Sequence, residues 1–95
     1  MGAEMTLREV VTNLSAFDEG ATIYVSEPWN EGSASMVERE PEQGGLPPRA
    51  TQKKMAYFLE VDLARSIVAE WIAATGVQDE SDISKRLIEY ATYDA

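Results

Sequence analysis

Apolar residues recur along this chain with two different spacings, and the change of spacing marks the elements. Leu7, Val10, Val11, Leu14 and Phe17 fall three or four residues apart, the stripe of a helix over about 7–16. Thr6 and Glu9 stand at capping-box spacing before it, and Asp18, Glu19 and Gly20 end it with a turn. The period then drops to two. Residues 21–27 (ATIYVSE) are β-branched and alternating, with Ile23 and Val25 on one side and Thr22, Tyr24 and Ser26 on the other. Pro28, Trp29, Asn30, Glu31 and Gly32 form a turn-rich connection, and residues 33–40 (SASMVERE) read as a second, weaker strand. A third strand is expected over 55–61 (MAYFLEV).

Helical spacing returns with Leu63, Ile67, Val68, Trp71 and Ile72, where Asp62 is expected to cap the start and Gly76 sits as a C′ glycine. Ile83, Leu87, Ile88 and Ala91 predict a last helix that starts near Asp79 or Ser81. The order is α-β-β-β-α-α. These stripes are buried together if a three-stranded, mainly antiparallel sheet packs on two or three helices, an α+β fold. At 95 residues the chain is expected to form one domain, 1–95, with a loose start over 1–5. Residues 41–54 carry Gly44, Gly45, Pro47 and Pro48 but little apolar besides Leu46. A loop of that length in a small domain is either functional or mobile.

Charge changes the picture more than length does. Seventeen Asp and Glu face eight Lys and Arg, a net charge of −9 and a pI near 4.3, with neither His nor Cys. Without imidazole or thiol, Ser-His and Cys-His nucleophiles are closed, as are histidine and cysteine metal sites and disulfides. A charge of that sign repels nucleic-acid phosphates and anionic membranes, and it suits a basic protein partner reached through electrostatic steering. The same acidity also keeps a small domain soluble with no partner in view. No apolar run approaches a membrane span, and no signal peptide is visible, so a cytoplasmic location is expected.

The remaining chemistry is thin, and no enzyme activity and no cofactor are expected. Glu38 and Glu40 alternate on one strand face with Glu42 just beyond, a pattern more typical of charges guarding a sheet edge than of a catalytic pair. A calcium loop needs six or more oxygens on a defined turn, and the acidic spacing does not match one. Gly44-Gly45 lacks the Lys-Ser/Thr of a phosphate loop, and Arg49, Lys53 and Lys54 form the sole basic cluster. Trp71 belongs to a helix stripe and reads as core. Trp29 lies in the turn between Glu27 and Glu31, where it either folds back over the sheet beside Tyr24 or anchors a basic partner. The sheet face away from the helices could gather Tyr24, Met36 and Phe58 with Glu38, Glu40 and Glu60, open for docking or covered by residues 41–54.

The segments TLREVV, ATIYVSEPW and YFLEVDLARSIVAEW resemble a small family of short bacterial proteins of unknown function, a likeness running from Thr6 to Trp71. In size, acidity and lack of catalytic residues the chain is also similar in type to the immunity proteins of bacterial toxin systems. That likeness implies an inhibitor that covers the active surface of a basic protein. Three functions follow as expectations. The first is a non-catalytic acidic binding module, with Trp29 as anchor and Glu27, Glu31, Glu38, Glu40 and Glu42 around it. The second is a homo-oligomeric module, a homodimer for instance, that pairs through its open sheet face. The third is a ligand site or enzyme under 41–54, built from carboxylates, Tyr24, Tyr57, Lys53 and Lys54.

Overall fold

In the computed structural model, which describes residues 5–93, the sheet has four strands where the periodicity predicts three. In chain order the elements are β1 (Met5–Thr6), α1 (Leu7–Thr12), a 3-10 turn (Leu14–Ala16), β2 (Thr22–Ser26), β3 (Ala34–Glu38), α2 (Pro48–Gln52), β4 (Met55–Glu60), α3 (Val61–Thr75) and α4 (Glu80–Tyr93). The sheet order is β1-β3-β2-β4, antiparallel throughout. The α+β class holds, and two short elements correct the predicted order. β1 pairs Met5 with Ser35 and Thr6 with Ala34, so Met5 is part of the sheet and not of a loose start. The rest of that expected loose start, residues 1–4, lies outside the described residues.

The first helix opens as its capping box requires. Thr6 Oγ1 accepts the Glu9 N–H at 3.1 Å, and Glu9 Oε1 accepts the Thr6 N–H at 2.9 Å. Two more first-turn amides reach the β2–β3 turn, Leu7 N–H to the Ser33 carbonyl at 3.0 Å and Arg8 N–H to the Glu31 carbonyl at 2.9 Å. Helix α3 begins two residues earlier than an Asp62 cap would allow. Glu60 is its N-cap, with no side-chain cap bond, and Asp62 lies in the first turn. Gly76 closes α3 in the left-handed conformation, φ 72°, with its N–H on the Ile72 carbonyl. Asp79 Oδ1 accepts the N–H groups of Ser81 and Asp82 at the start of α4.

One face of the sheet carries the main core. Ile23 and Val25 meet Leu7, Val10 and Leu14 of the first helical segment, Ala64 and Ile67 of α3, and Ile83 and Leu87 of α4. Trp71 packs against this cluster partly buried, and its Nε1–H has no hydrogen-bond partner among the described residues. Arg65 fixes α3 to the first segment by donating to the carbonyls of Leu14, Ser15 and Phe17. A register shift between β2 and β4 pairs Ile23 with Leu59 but Tyr24 with Tyr57, so Phe58 is the extra residue of a bulge. Phe58 therefore joins Leu59 in the main core and leaves the opposite face, where alternation had placed it.

That opposite face is covered. Tyr24, Met36 and Met55 pack with Ala50 of α2 in a second, smaller cluster. The segment 41–54 is thus a covering element with a five-residue helix, and Pro47 and Ala50 are its buried contacts. Pro47 and Pro48 allow a helix to start there because the first helical position needs no N–H. The Tyr24 hydroxyl is buried beneath it without a hydrogen bond of ordinary geometry.

A buried hydroxyl with no partner costs about 1–3 kcal/mol. Tyr24→Phe should therefore keep or raise the unfolding free energy, by up to about 1 kcal/mol, in urea denaturation. A clear loss of stability would show that the hydroxyl is satisfied in solution.

Candidate functional site

The turn between β2 and β3 is built by Asn30 and Ser33. Ser33 Oγ donates to the Pro28 carbonyl at 2.8 Å and accepts the Asn30 N–H at 2.9 Å, while Asn30 Oδ1 accepts the Gly32 N–H at 2.8 Å. The Glu27–Pro28 peptide is cis. With α1 bonded to the carbonyls of Glu31 and Ser33, the turn is held at both its neck and its tip.

This frame sets Trp29. Its Nε1–H donates to the Val25 carbonyl at 3.2 Å, and its ring meets Phe58 edge to face, centroids 5.0 Å apart and planes at 88°. Trp29 thus lies on the helix side of the sheet, part of the rim of the main core, and not beside Tyr24. The place beside Tyr24 belongs to Tyr57, edge to face at 6.4 Å. Between the turn and α4 runs a groove of about 500 Å³, walled by Trp29, Ile88 and Tyr93 and edged by Glu31, Lys85 and Glu89. Tyr93 is 79 % exposed, far more than any other large apolar side chain described.

The six residues expected to form one acidic patch divide into two groups. Trp29, Glu27 and Glu31 sit at the turn. Glu38 pairs with Thr22, at the other end of β2, and Glu40 and Glu42 continue away from it. Four residue steps of β2 separate the groups, about 13 Å along the strand. The groups also belong to different faces, since Glu38 lies on the α2 side and ion-pairs with Arg49 at 3.5 Å. At the turn, Glu31 faces Arg8 at 3.9 Å, Arg8 reaches Glu80 at 3.7 Å, and Glu89 is held by Arg86 at 3.0 Å. The groove is therefore apolar with mixed charge at its rim. Sequence reading found Trp29 but missed Ile88, Glu89 and Tyr93, because only the fold brings the end of α4 against the turn.

On the α2 face the two tyrosines lie near carboxylates. Burial raises the pKa of Tyr24 above its usual 10.0, the Thr22 side chain offsets this in part, and the carboxylates of Glu40 and Glu38 add to the rise. Tyr57 is raised first by burial, then by Glu60 and Glu40 and by Tyr24. Among the described residues no three acidic side chains are placed to hold a metal ion. A second groove of about 340 Å³ lies between the first helical segment and α3, lined by apolar residues such as Val11, Leu14, Val68 and Ile72. Neither groove borders residues 41–54. No helix among the described residues is long and apolar enough to cross a membrane.

No protein-family model matches the chain, and no curated protein or solved structure is significantly similar to it.

Raised tyrosine pKa values have a stability consequence of definite sign. The neutral phenols are favoured in the fold, so their contribution is intact below the unfolded pKa near 10 and is lost as pH rises through the folded values. Unfolding free energy should fall more steeply above pH 10 in the parent than in a Tyr24→Phe, Tyr57→Phe double variant, measured by urea titration at pH 9 and pH 11. Equal slopes would show that neither phenol is linked to folding.

Proposed function

We propose that the protein is a non-catalytic, acidic binding module of immunity type that holds a basic protein partner in the cytoplasm. The observation that carries this reading is the groove at the β2–β3 turn. It offers an apolar floor beside a rigidly held tryptophan, with carboxylates of Glu31 and Glu89 at its edge and the exposed Glu27 nearby. Such a groove suits an apolar or aromatic side chain of the partner, flanked by a Lys or Arg that shares the rim carboxylates. Glu38, Glu40 and Glu42 take a different part. At the far end of the hairpin they add to the field of a −9 chain, which speeds encounter with a basic surface without touching the bound side chain.

Trp29 also supports the core through Phe58, so its loss alone would mix binding with folding. Tyr93 is the cleaner probe, being highly exposed on the groove wall. Tyr93→Ser should leave thermal unfolding unchanged and weaken capture of a basic protein from lysate. Trp29→Ala should weaken it by about 30-fold, the equivalent of ~2 kcal/mol. Glu38→Gln with Glu40→Gln should slow association and reduce its salt dependence while leaving dissociation unchanged. A partner that binds all three variants as it binds the parent would place the site elsewhere.

A further inference from the structure

Acids outnumber bases by seventeen to eight in this chain, so a cation without a carboxylate stands out. Arg8, Arg39, Arg49 and Arg86 each hold at least one. Lys85 holds none among the described residues and makes no hydrogen bond there. It is exposed, and it lies in the wall of the Trp29 groove. The buried stripe of α4 runs through Ile83 and Leu87, whereas Lys85, Ile88 and Glu89 fall at helical spacing on the face that meets Trp29 across the groove. The two carboxylates of the lining each have an arginine beside them, Glu31 with Arg8 at 3.9 Å and Glu89 with Arg86 at 3.0 Å. The charge left without a counter-ion in this lining is therefore positive.

We propose that the groove binds a small aromatic monocarboxylic acid, its ring against Trp29 and Ile88 and its carboxylate on the Lys85 ammonium. A volume of about 500 Å³ lies within the range of small-ligand sites. The Trp29 indole N–H is already taken by the Val25 carbonyl, so the ring offers apolar surface rather than a donor. Ile88 stands three residues beyond Lys85, about 4.5 Å along the helix axis. A carboxylate a few bonds from an aromatic ring spans that interval. Charge narrows the class further. An amine in the same pose would meet the ammonium of Lys85. A phosphate or a dicarboxylate would bring a second negative charge into the field of a −9 chain, and the lining has no second lysine or arginine to receive it. The ligand argued here depends on Lys85 and not on the rim carboxylates, so it goes beyond the protein partner proposed for the same groove.

Three probes with one ring separate the charge from the apolar contact: indole-3-propionate, its neutral amide, and tryptamine. Each is titrated into the isotope-labelled chain at low salt, and the indole N–H signals are followed by NMR. The propionate should shift Trp29 with a Kd on the order of 1 mM, as befits about 14 non-hydrogen atoms in an open site. Trp71, which lines neither groove, should stay in place. The amide should bind about fivefold more weakly than the acid, the scale of one exposed ion pair. Lys85→Gln should abolish that difference, and Lys85→Glu should make tryptamine the tighter ligand. Lys85 is exposed, so both variants should keep the circular dichroism of the parent. No shift of Trp29 up to about 10 mM acid overturns the proposal. So does equal binding of acid and amide by the parent, or a preference for the acid that survives Lys85→Gln. The titration uses the chain alone, so its failure leaves capture of a basic protein untouched, and the reverse holds as well.

Discussion

Strand β2 is buried on both faces, and the rest of the molecule is arranged to make that possible. Ile23, Tyr24 and Val25 each have no exposed surface. A central strand of this kind needs a hydrogen-bonding neighbour on each edge and an apolar cover above and below. The neighbours are β3 and β4. The cover on the Ile23 side is supplied by α1, α3 and α4, which is the conventional use of amphipathic helices. On the Tyr24 side it is supplied by a connection. The segment from 41 to 54 is long because it must leave the end of β3, cross the sheet with Pro47 and Ala50 turned inward, and return to begin β4.

Charge is organised around the arginines. Each has a fixed use. Arg8 joins the turn to the start of α4 through Glu31 and Glu80, Arg39 holds Asp18, Arg49 holds Glu38, and Arg86 holds Glu89. Arg65 spends its donors on three backbone carbonyls instead. Exposed pairs of this sort add little stability one at a time. Their larger effect is local. Each offsets part of the charge of the carboxylate it holds. Asp18 shows the local effect directly, its carboxyl held below its usual pKa by the Gly20 amide and then by Arg39.

Much of the fold was legible because it was written in periodic stripes and caps. Leu7, Val10, Val11 and Leu14 announce the first helix, Thr6 and Glu9 its start, and Gly76 the end of α3. The misses have physical causes. Met5 and Thr6 are too few to show a period, and they become a strand only because β3 offers an edge. The helix at 48–52 is a single turn and a half whose stability comes from Ala50 against the sheet, a contact invisible in local propensity. Phe58 leaves its expected face because a bulge breaks the alternation on which the expectation rested. The candidate site was legible only in part. Trp29 could be picked out by its setting among turn residues, but the opposite wall of its groove lies more than fifty residues along the chain. The acidic residues of the two hairpin ends look adjacent in sequence and are parted by the strand between them.

The bond that Thr12 Oγ1 donates to Glu80 Oε2, at 2.6 Å, joins residues far apart along the chain. Together with Arg8 it ties α4 to the first helix, which itself holds the turn bearing Trp29. A ribosome delivers the tryptophan more than fifty residues before Ile88 and Tyr93. A nascent chain therefore carries the anchor of the groove long before it has a groove, and the hairpin waits with one side of Trp29 uncovered. The groove is completed only when α4 docks, and a chain truncated before that helix would lack the groove as well as part of its core.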